Sequence, residues 1–99
     1  MSLSTSESAV LPLAPVLDLN AAEPLRQSLM LLRGRAVTLD ASRVTRLGGL
    51  CLQVLLAARA AWAEEGRAFA LGQMSTEFAD QLALFGNPEL QFEPEGVIS

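Results

Sequence analysis

The hydrophobic positions of the chain repeat with two different periods, one typical of strands and one typical of helices. Short apolar runs at 9–13, 36–39 and 68–71 have the length of buried strands. Longer segments between and after them repeat apolar residues at helical spacing, which indicates amphipathic helices. We therefore expect a single small α/β domain, in which a mixed sheet of about four to five strands packs with about three to four helices.

Local signals place the ends of the first and last helices. Asn20 and Glu23 have the spacing of a capping box, so we expect the first helix to begin there. Pro24 lacks an N–H group, which shifts the first regular turn by about one to three residues. The last helix is predicted to run from an N-cap at Ser75 to a stop signal at 86–88, and a short strand is expected around 90–92.

The central helical segment, 47–65, is apolar on two faces. Its predicted core face holds Leu47, Cys51, Val54, Leu55, Ala58, Ala61 and Trp62. Its opposite face holds Gly49, Leu52, Leu56, Ala60 and Ala63, bordered by Gln53 and Arg59. A helix that is apolar all round is either buried on both sides or kept for a partner. In so small a domain we expect Leu52 and Leu56 to face a partner; the alternative is that the last helix or the C-terminal segment covers them.

Two glycines and two arginines mark the start of this central helix. Gly48 and Gly49 permit the close approach of another backbone, and they leave the first helical N–H groups accessible. Arg43 and Arg46 precede them and favour a phosphate or an acidic side chain, the alternative being a solvated loop with a tight turn. The predicted partner-binding residues are Arg43, Thr45, Arg46, Gly48, Gly49, Leu52, Gln53 and Leu56.

The order of strand, basic loop and glycine-opened helix in residues 39–52, LDASRVTRLGGLCL, resembles the central element of the STAS family. Bacterial anti-sigma factor antagonists and sulfate transporter tails share this domain. In phosphorylatable members the loop leads into Asp-Ser-Ser-Gly-Leu or Asp-Thr-Ala-Gly-Leu. The likeness includes the segments 15–19 and 66–71 and extends over roughly residues 9–86.

The resemblance implies a non-catalytic protein–protein interaction module of bacterial signalling. Partners in the family are an anti-sigma kinase, an ABC transporter ATPase in lipid-transport members, or another signalling protein such as a chemotaxis-type assembly. The phosphoacceptor position falls on Gly49 or Leu50 and the motif aspartate on Gly48, so the family's serine switch has no acceptor hydroxyl here. Ser42 and Thr45 are candidates for a displaced phosphoacceptor, but we expect them to hold the loop through hydrogen bonds to the backbone.

Composition argues against several other functions. The net charge of -4, without any lysine, is unlike a surface for nucleic acid or anionic membrane. The absence of histidine removes the commonest general base and metal ligand, so we predict no catalytic residue, metal or cofactor. An enzyme would depend on Asp18, Asp40 or Glu65. Asp40 is the best of these three because it follows a strand, where open α/β sheets bind their ligands, although capping of the following loop is its expected role. The alternative function of another class is a small-ligand or nucleotide-binding domain, for which Gly48 and Gly49 alone are a weak signal.

The remaining features bear on organisation. Residues 1–8 are interpreted as a loose polar tail or an expression remnant, and residues 9–99 as the domain. A single cysteine, Cys51, and the lack of a leader pattern predict a cytoplasmic protein, and no apolar run suits membrane insertion. A homodimer through the apolar helix face is the alternative to a different protein partner.

Overall fold

The computed structural model describes residues 8–92, in which strands and helices alternate along the chain. The elements are β1 (Ser8–Pro12), β2 (Val16–Leu17), α1 (Ala22–Leu31), β3 (Ala36–Ala41), β4 (Arg46–Leu47), α2 (Gly49–Glu64), β5 (Phe69–Met74) and α3 (Thr76–Leu84), with a 3-10 turn at Leu19–Ala21. This order confirms the α/β class. Ser8, assigned to the tail from the sequence, is the first residue of β1, and the rest of that segment lies outside the described residues.

The strands form two parallel sheets in place of the expected single mixed sheet. In the larger sheet β3 lies between β1 and β5, whereas β2 pairs separately with β4. Pro12 and Pro15 separate β2 from β1, since a proline has no N–H to donate to a strand ladder. The predicted parallel β–α–β unit is confirmed in β3, α2 and β5.

Every buried side chain among residues 8–92 is apolar, and these side chains form one core. Trp62 is its largest member, and its indole N–H donates to the carbonyl of Arg35 at 2.6 Å. The Phe69 ring centroid lies 5.5 Å from that of Trp62, and the Arg33 guanidinium lies 5.7 Å from the Trp62 ring centroid. Arg33 also pairs with Glu65, and its hydrogen bond lowers the pKa of that carboxyl. These contacts fasten the end of α1 to the end of α2.

The capping box predicted for the first helix is wrong. Asp18 is the N-cap of the 3-10 turn, because its carboxylate accepts from the N–H of Asn20 at 3.1 Å. Glu23 does not reach back to Asn20 but binds Arg26 and Gln27 one turn ahead. The α-helix begins at Ala22, which confirms the shift attributed to the proline that follows. That proline lies in the first turn, where its missing N–H has no intrahelical partner to lose.

Both predicted boundaries of the last helix are confirmed. The hydroxyl of Ser75 accepts from the N–H of Phe78 at 2.9 Å, and it also donates to the carbonyl of Val44. After the helix, Gly86 and Asn87 have φ values of 92° and 51°, in the left-handed region that ends helices.

Residues Gln91 and Phe92 cover the outer edge of β5. Phe69 and Phe92 exchange two backbone hydrogen bonds of 2.8 Å each, and the Gln91 side chain accepts from the N–H of Leu71 at 3.1 Å. The strand expected around 90–92 is thus a single antiparallel bridge in the described residues. None of the helices between residues 8 and 92 has the length and hydropathy required to cross a membrane.

Candidate functional site

Hydrogen bonds fix the loop that joins β3 to β4 and α2. The carboxylate of Asp40 accepts from the hydroxyl and the N–H of Ser42, the latter at 3.0 Å, and these bonds lower the pKa of Asp40. The hydroxyl of Thr45 donates to the carbonyl of Pro15 at 3.1 Å. Val44, the apolar residue of the loop, is fully buried. The expected roles of Asp40 as the loop cap and of the Thr45 hydroxyl as a donor to the backbone are confirmed. The Ser42 hydroxyl also holds the loop, but its partner is the carboxylate of Asp40 and not the backbone.

A side chain of α3 that the sequence analysis did not single out completes the β4 segment. The Gln81 amide oxygen accepts from the N–H of Leu47 at 2.6 Å, and its amide nitrogen donates to the carbonyl of Thr45 at 3.0 Å. β4 pairs with β2 through its other hydrogen-bonding edge. The side-chain amide therefore takes the place of a third strand. The sequence gives no signal for this role, because a polar glutamine in a helical pattern looks like an ordinary solvent-exposed residue.

Replacement of Gln81 by methionine is expected to destabilise the domain by about 1–3 kcal/mol, because the N–H of Leu47 and the carbonyl of Thr45 lose their partner. Urea unfolding followed by circular dichroism measures this change. Gln27→Met, on the exposed side of α1, is the matched control and should have a much smaller effect. Equal unfolding midpoints for the two variants would contradict the role assigned to Gln81.

The two glycines at the start of α2 have different surroundings. Gly48 is the extended N-cap, and its N–H donates to the carbonyl of Leu17 at 2.8 Å. A Cβ atom at Gly48 would lie 3.0 Å from that same carbonyl oxygen, so the close backbone approach predicted for a partner is made by β2 of the chain itself. A Cβ atom at Gly49 would lie 3.7 Å from the Phe85 ring, at ordinary contact distance. Position 49 therefore has room for the methyl group of an alanine.

Part of the helix face predicted to meet a partner is turned into the core. Leu52 is only 5% exposed, and Leu56 is half-buried and packed against the same core. The prediction that Leu52 is offered to a partner is wrong, because this side chain is inaccessible in the folded chain. Leu56 is only partly buried, so its predicted contact with a partner stays a prediction.

Contacts near Gly49 and near Arg59 show how the side of α2 that holds Leu52 and Leu56 is covered. The Phe85 ring lies beside Gly49, and the guanidinium of Arg59 donates to the carbonyl of Gln91 at 3.0 Å. Leu90, between them along the chain, is buried. The segment after α3 therefore runs along α2. This agrees with the alternative prediction, in which the last helix or the C-terminal segment covers Leu52 and Leu56.

The face of α2 that does meet solvent shares Gly49 and Ala60 with the predicted one, but its centre is rotated by about 70° at 100° per helical residue. Its exposed residues are Gly49, Leu50, Gln53, Ala57, Ala60 and Glu64. Leu50 is 44% exposed and Phe85 is 46% exposed. Of the predicted partner-binding residues, Arg43, Thr45, Arg46, Gly49 and Gln53 are exposed, and Gly48 is half-buried. We call the exposed α2 residues, Phe85 and the two loop arginines the α2 surface.

The groups considered for catalysis are occupied elsewhere in the fold. The Cys51 thiol is buried and donates to the carbonyl of Asp18 at 3.3 Å, and burial raises its pKa, so the reactive thiolate is disfavoured. Each candidate carboxylate is already bound within the domain. Asp18 accepts from the N–H of Asn20, Asp40 accepts from the N–H of Ser42, and Glu65 pairs with Arg33. Among residues 8–92 no group of three acidic, cysteine or histidine side chains is placed to hold a metal ion.

Comparison with known families agrees with this architecture. The family model described as Mlab, STAS domain matches residues 2–91. The chain belongs to the STAS domain family. Comparison with curated proteins and with solved structures gives no match. In this STAS domain, Gly49 and Leu50 lie on the solvent-exposed side of α2.

Proposed function

We propose that this STAS domain is a non-catalytic interaction module that binds a regulatory protein through the α2 surface. The observation that carries the proposal is the composition of the exposed side of α2. From Gly49 to Ala60 its exposed residues are glycine, leucine, glutamine and alanine, and the first exposed charge is Glu64. A helix face that serves only to meet water is normally rich in charge, whereas the centre of a protein interface is depleted of charge.

The borders of the α2 surface suit a protein partner as well. Leu50 and Phe85 present apolar area close to the small residues, where a partner side chain can pack. Arg43 and Arg46 are exposed beside the N-terminal end of α2, where the helix dipole favours negative charge. The partner is therefore expected to bring apolar side chains to α2 and acidic side chains to the loop.

Two classes of ATPase are candidates for this partner, both implied by membership of the family. One is an anti-sigma kinase, which gives the domain the role of an anti-sigma factor antagonist in bacterial transcription control. The other is the ATPase of an ABC-type lipid transporter, of which the domain would be an accessory subunit. Gly49 and Leu50 offer a serine kinase no acceptor hydroxyl. This observation argues against a kinase that phosphorylates that position, and it is the reason for keeping the transporter ATPase as the second candidate.

Photo-cross-linking tests the proposal. Benzoylphenylalanine placed at Gln53, in the centre of the α2 surface, should give a discrete adduct with an ATPase-type protein in the native cytoplasm, and mass spectrometry tells a kinase from a transporter ATPase. The same probe at Gln27, which is exposed on α1, is the control and should give no such adduct. Equal adducts from both positions would contradict the proposal. An adduct with a second copy of the chain alone would replace it by a homodimer.

A further inference from the structure

A pocket of about 280 Å³ lies between α1 and the connection from β1 to β2. Leu13 and Leu17 line it from the strand side, and Pro24, Leu25 and Ser28 line it from the helix side. No residue of the α2 surface belongs to its lining, so this pocket is separate from the proposed partner site.

The chemistry of the lining restricts what the pocket can hold. All of its lining residues except Ser28 are apolar, and none is charged. A charge placed against the buried lining residues Leu13, Leu17 and Leu25 would lose its hydration without gaining a partner, which is strongly unfavourable. A neutral apolar group with one polar end fits, because the Ser28 hydroxyl can both donate and accept a hydrogen bond.

The pocket is also preformed and large enough for a ligand. Pro12 of β1 and Pro24 of α1 both line the pocket, and the ring of each fixes its backbone φ angle. Leu13, Leu17 and Leu25 are core residues with little freedom to collapse inward. An apolar cavity of roughly 150 Å³ is sufficient to bind benzene, so the observed volume accommodates about ten carbon atoms on the same scale.

We propose that this pocket binds a neutral aliphatic chain of about eight to ten carbons, with a single polar end at Ser28. This inference does not depend on the function proposed for the α2 surface. The carbonyl of Leu17, one of the lining residues, accepts from the N–H of Gly48. The amide of Gly48 is therefore a sensitive reporter of ligand in the pocket.

Titration of the full chain with 1-octanol, followed by amide NMR shifts, tests the proposal. We expect saturable shifts concentrated at Leu13, Leu17, Leu25, Ser28 and Gly48. 1,8-Octanediol places a second hydroxyl against the apolar wall and should bind about tenfold more weakly or worse. Shifts that stay linear up to the solubility limit, or that spread equally over exposed leucines elsewhere, overturn the proposal.

Variants that fill the pocket make the test specific. Ser28→Leu and Ser28→Met each extend an apolar side chain into the space and should weaken 1-octanol binding by about tenfold or more. Gln27→Leu adds the same side chain at the neighbouring exposed position, and its affinity should match the wild type. Amide dispersion verifies the fold of each variant, and Ser28→Met decides the question if Ser28→Leu fails to fold. Wild-type affinity in a folded Ser28 variant overturns the proposal.

Discussion

Leu52→Asp is expected to abolish the cooperative unfolding transition of the domain at neutral pH. The replaced side chain is almost completely buried within an entirely apolar core, so the new carboxylate would have no hydrogen-bond partner or counter-ion. An unpaired buried charge costs several kcal/mol, which is comparable with the whole stability of a small domain, about 5–15 kcal/mol. Thermal and urea unfolding followed by circular dichroism give the result.

Leu50→Asp is the matched control for this prediction, since it makes the same replacement on the exposed side of α2. We expect it to retain a cooperative transition within about 1 kcal/mol of the wild type. Leu52→Ala should lie between the two, at about 2–5 kcal/mol, because it leaves a cavity without adding charge. If Leu52→Asp were as stable as Leu50→Asp, Leu52 would have to face solvent, and the orientation of α2 described above would be wrong.

Trp62→Ala is expected to destabilise the domain by about 3–5 kcal/mol, because it removes the largest side chain of the core. It also removes the indole donor to the carbonyl of Arg35, the ring contact with Phe69 and the ring beneath Arg33. Urea unfolding should be followed by circular dichroism, since Trp62 is the only tryptophan and its fluorescence disappears with the mutation.

Trp62→Phe separates packing from hydrogen bonding at this position. The phenyl ring still packs in the core, but it has no N–H for the carbonyl of Arg35, so we expect a loss clearly smaller than that of Trp62→Ala. Equal losses in the two variants would show that the hydrogen bond, and not ring packing, supplies the stability. A cost below about 1 kcal/mol for Trp62→Ala would contradict the burial described here.

Features governed by local chemistry could be predicted from the sequence. The cap at Ser75 needs only its own hydroxyl and a nearby N–H, and the stop at Gly86 and Asn87 needs only residues that tolerate a positive φ. The parallel unit of β3, α2 and β5 follows from the alternation of short apolar runs with a long helical pattern. The STAS resemblance rested on the same order of elements, and the family match confirms it.

The orientation of α2 could not be predicted in the same way. Both sides of this helix are apolar, so its periodicity does not distinguish Leu52 from Leu50 as the buried residue. The choice depends on the segment after α3, whose contacts with Arg59 and Gly49 join residues far apart in sequence. Tertiary contacts of this kind have no local sequence pattern. As a result, the partner face predicted from the sequence differs from the exposed face of α2 by a rotation about the helix axis.

Competition between neighbouring groups accounts for the other differences. Asp18 and Asn20 are both suitable caps, and the 3-10 turn before α1 places the aspartate in reach of an N–H. Gln81 serves β4 only because α3 packs beside that strand, which its own sequence surroundings do not indicate. The bond of Asp18 is thus decided by the local turn, whereas the bonds of Gln81 depend on the tertiary structure.

The most direct test of the interaction module is a measurement of partner affinity. The partner identified by cross-linking is purified, and its affinity is measured for the wild type, Leu50→Asp and Leu31→Asp. Isothermal titration calorimetry should show that Leu50→Asp weakens binding by at least about tenfold, because it places a charge in the α2 surface. Leu31→Asp makes the same change at the end of α1, where the side chain is 84% exposed, and should bind within about twofold of the wild type. Unchanged affinity for folded Leu50→Asp, or an equal loss in Leu31→Asp, would contradict the assignment of the α2 surface as the partner site.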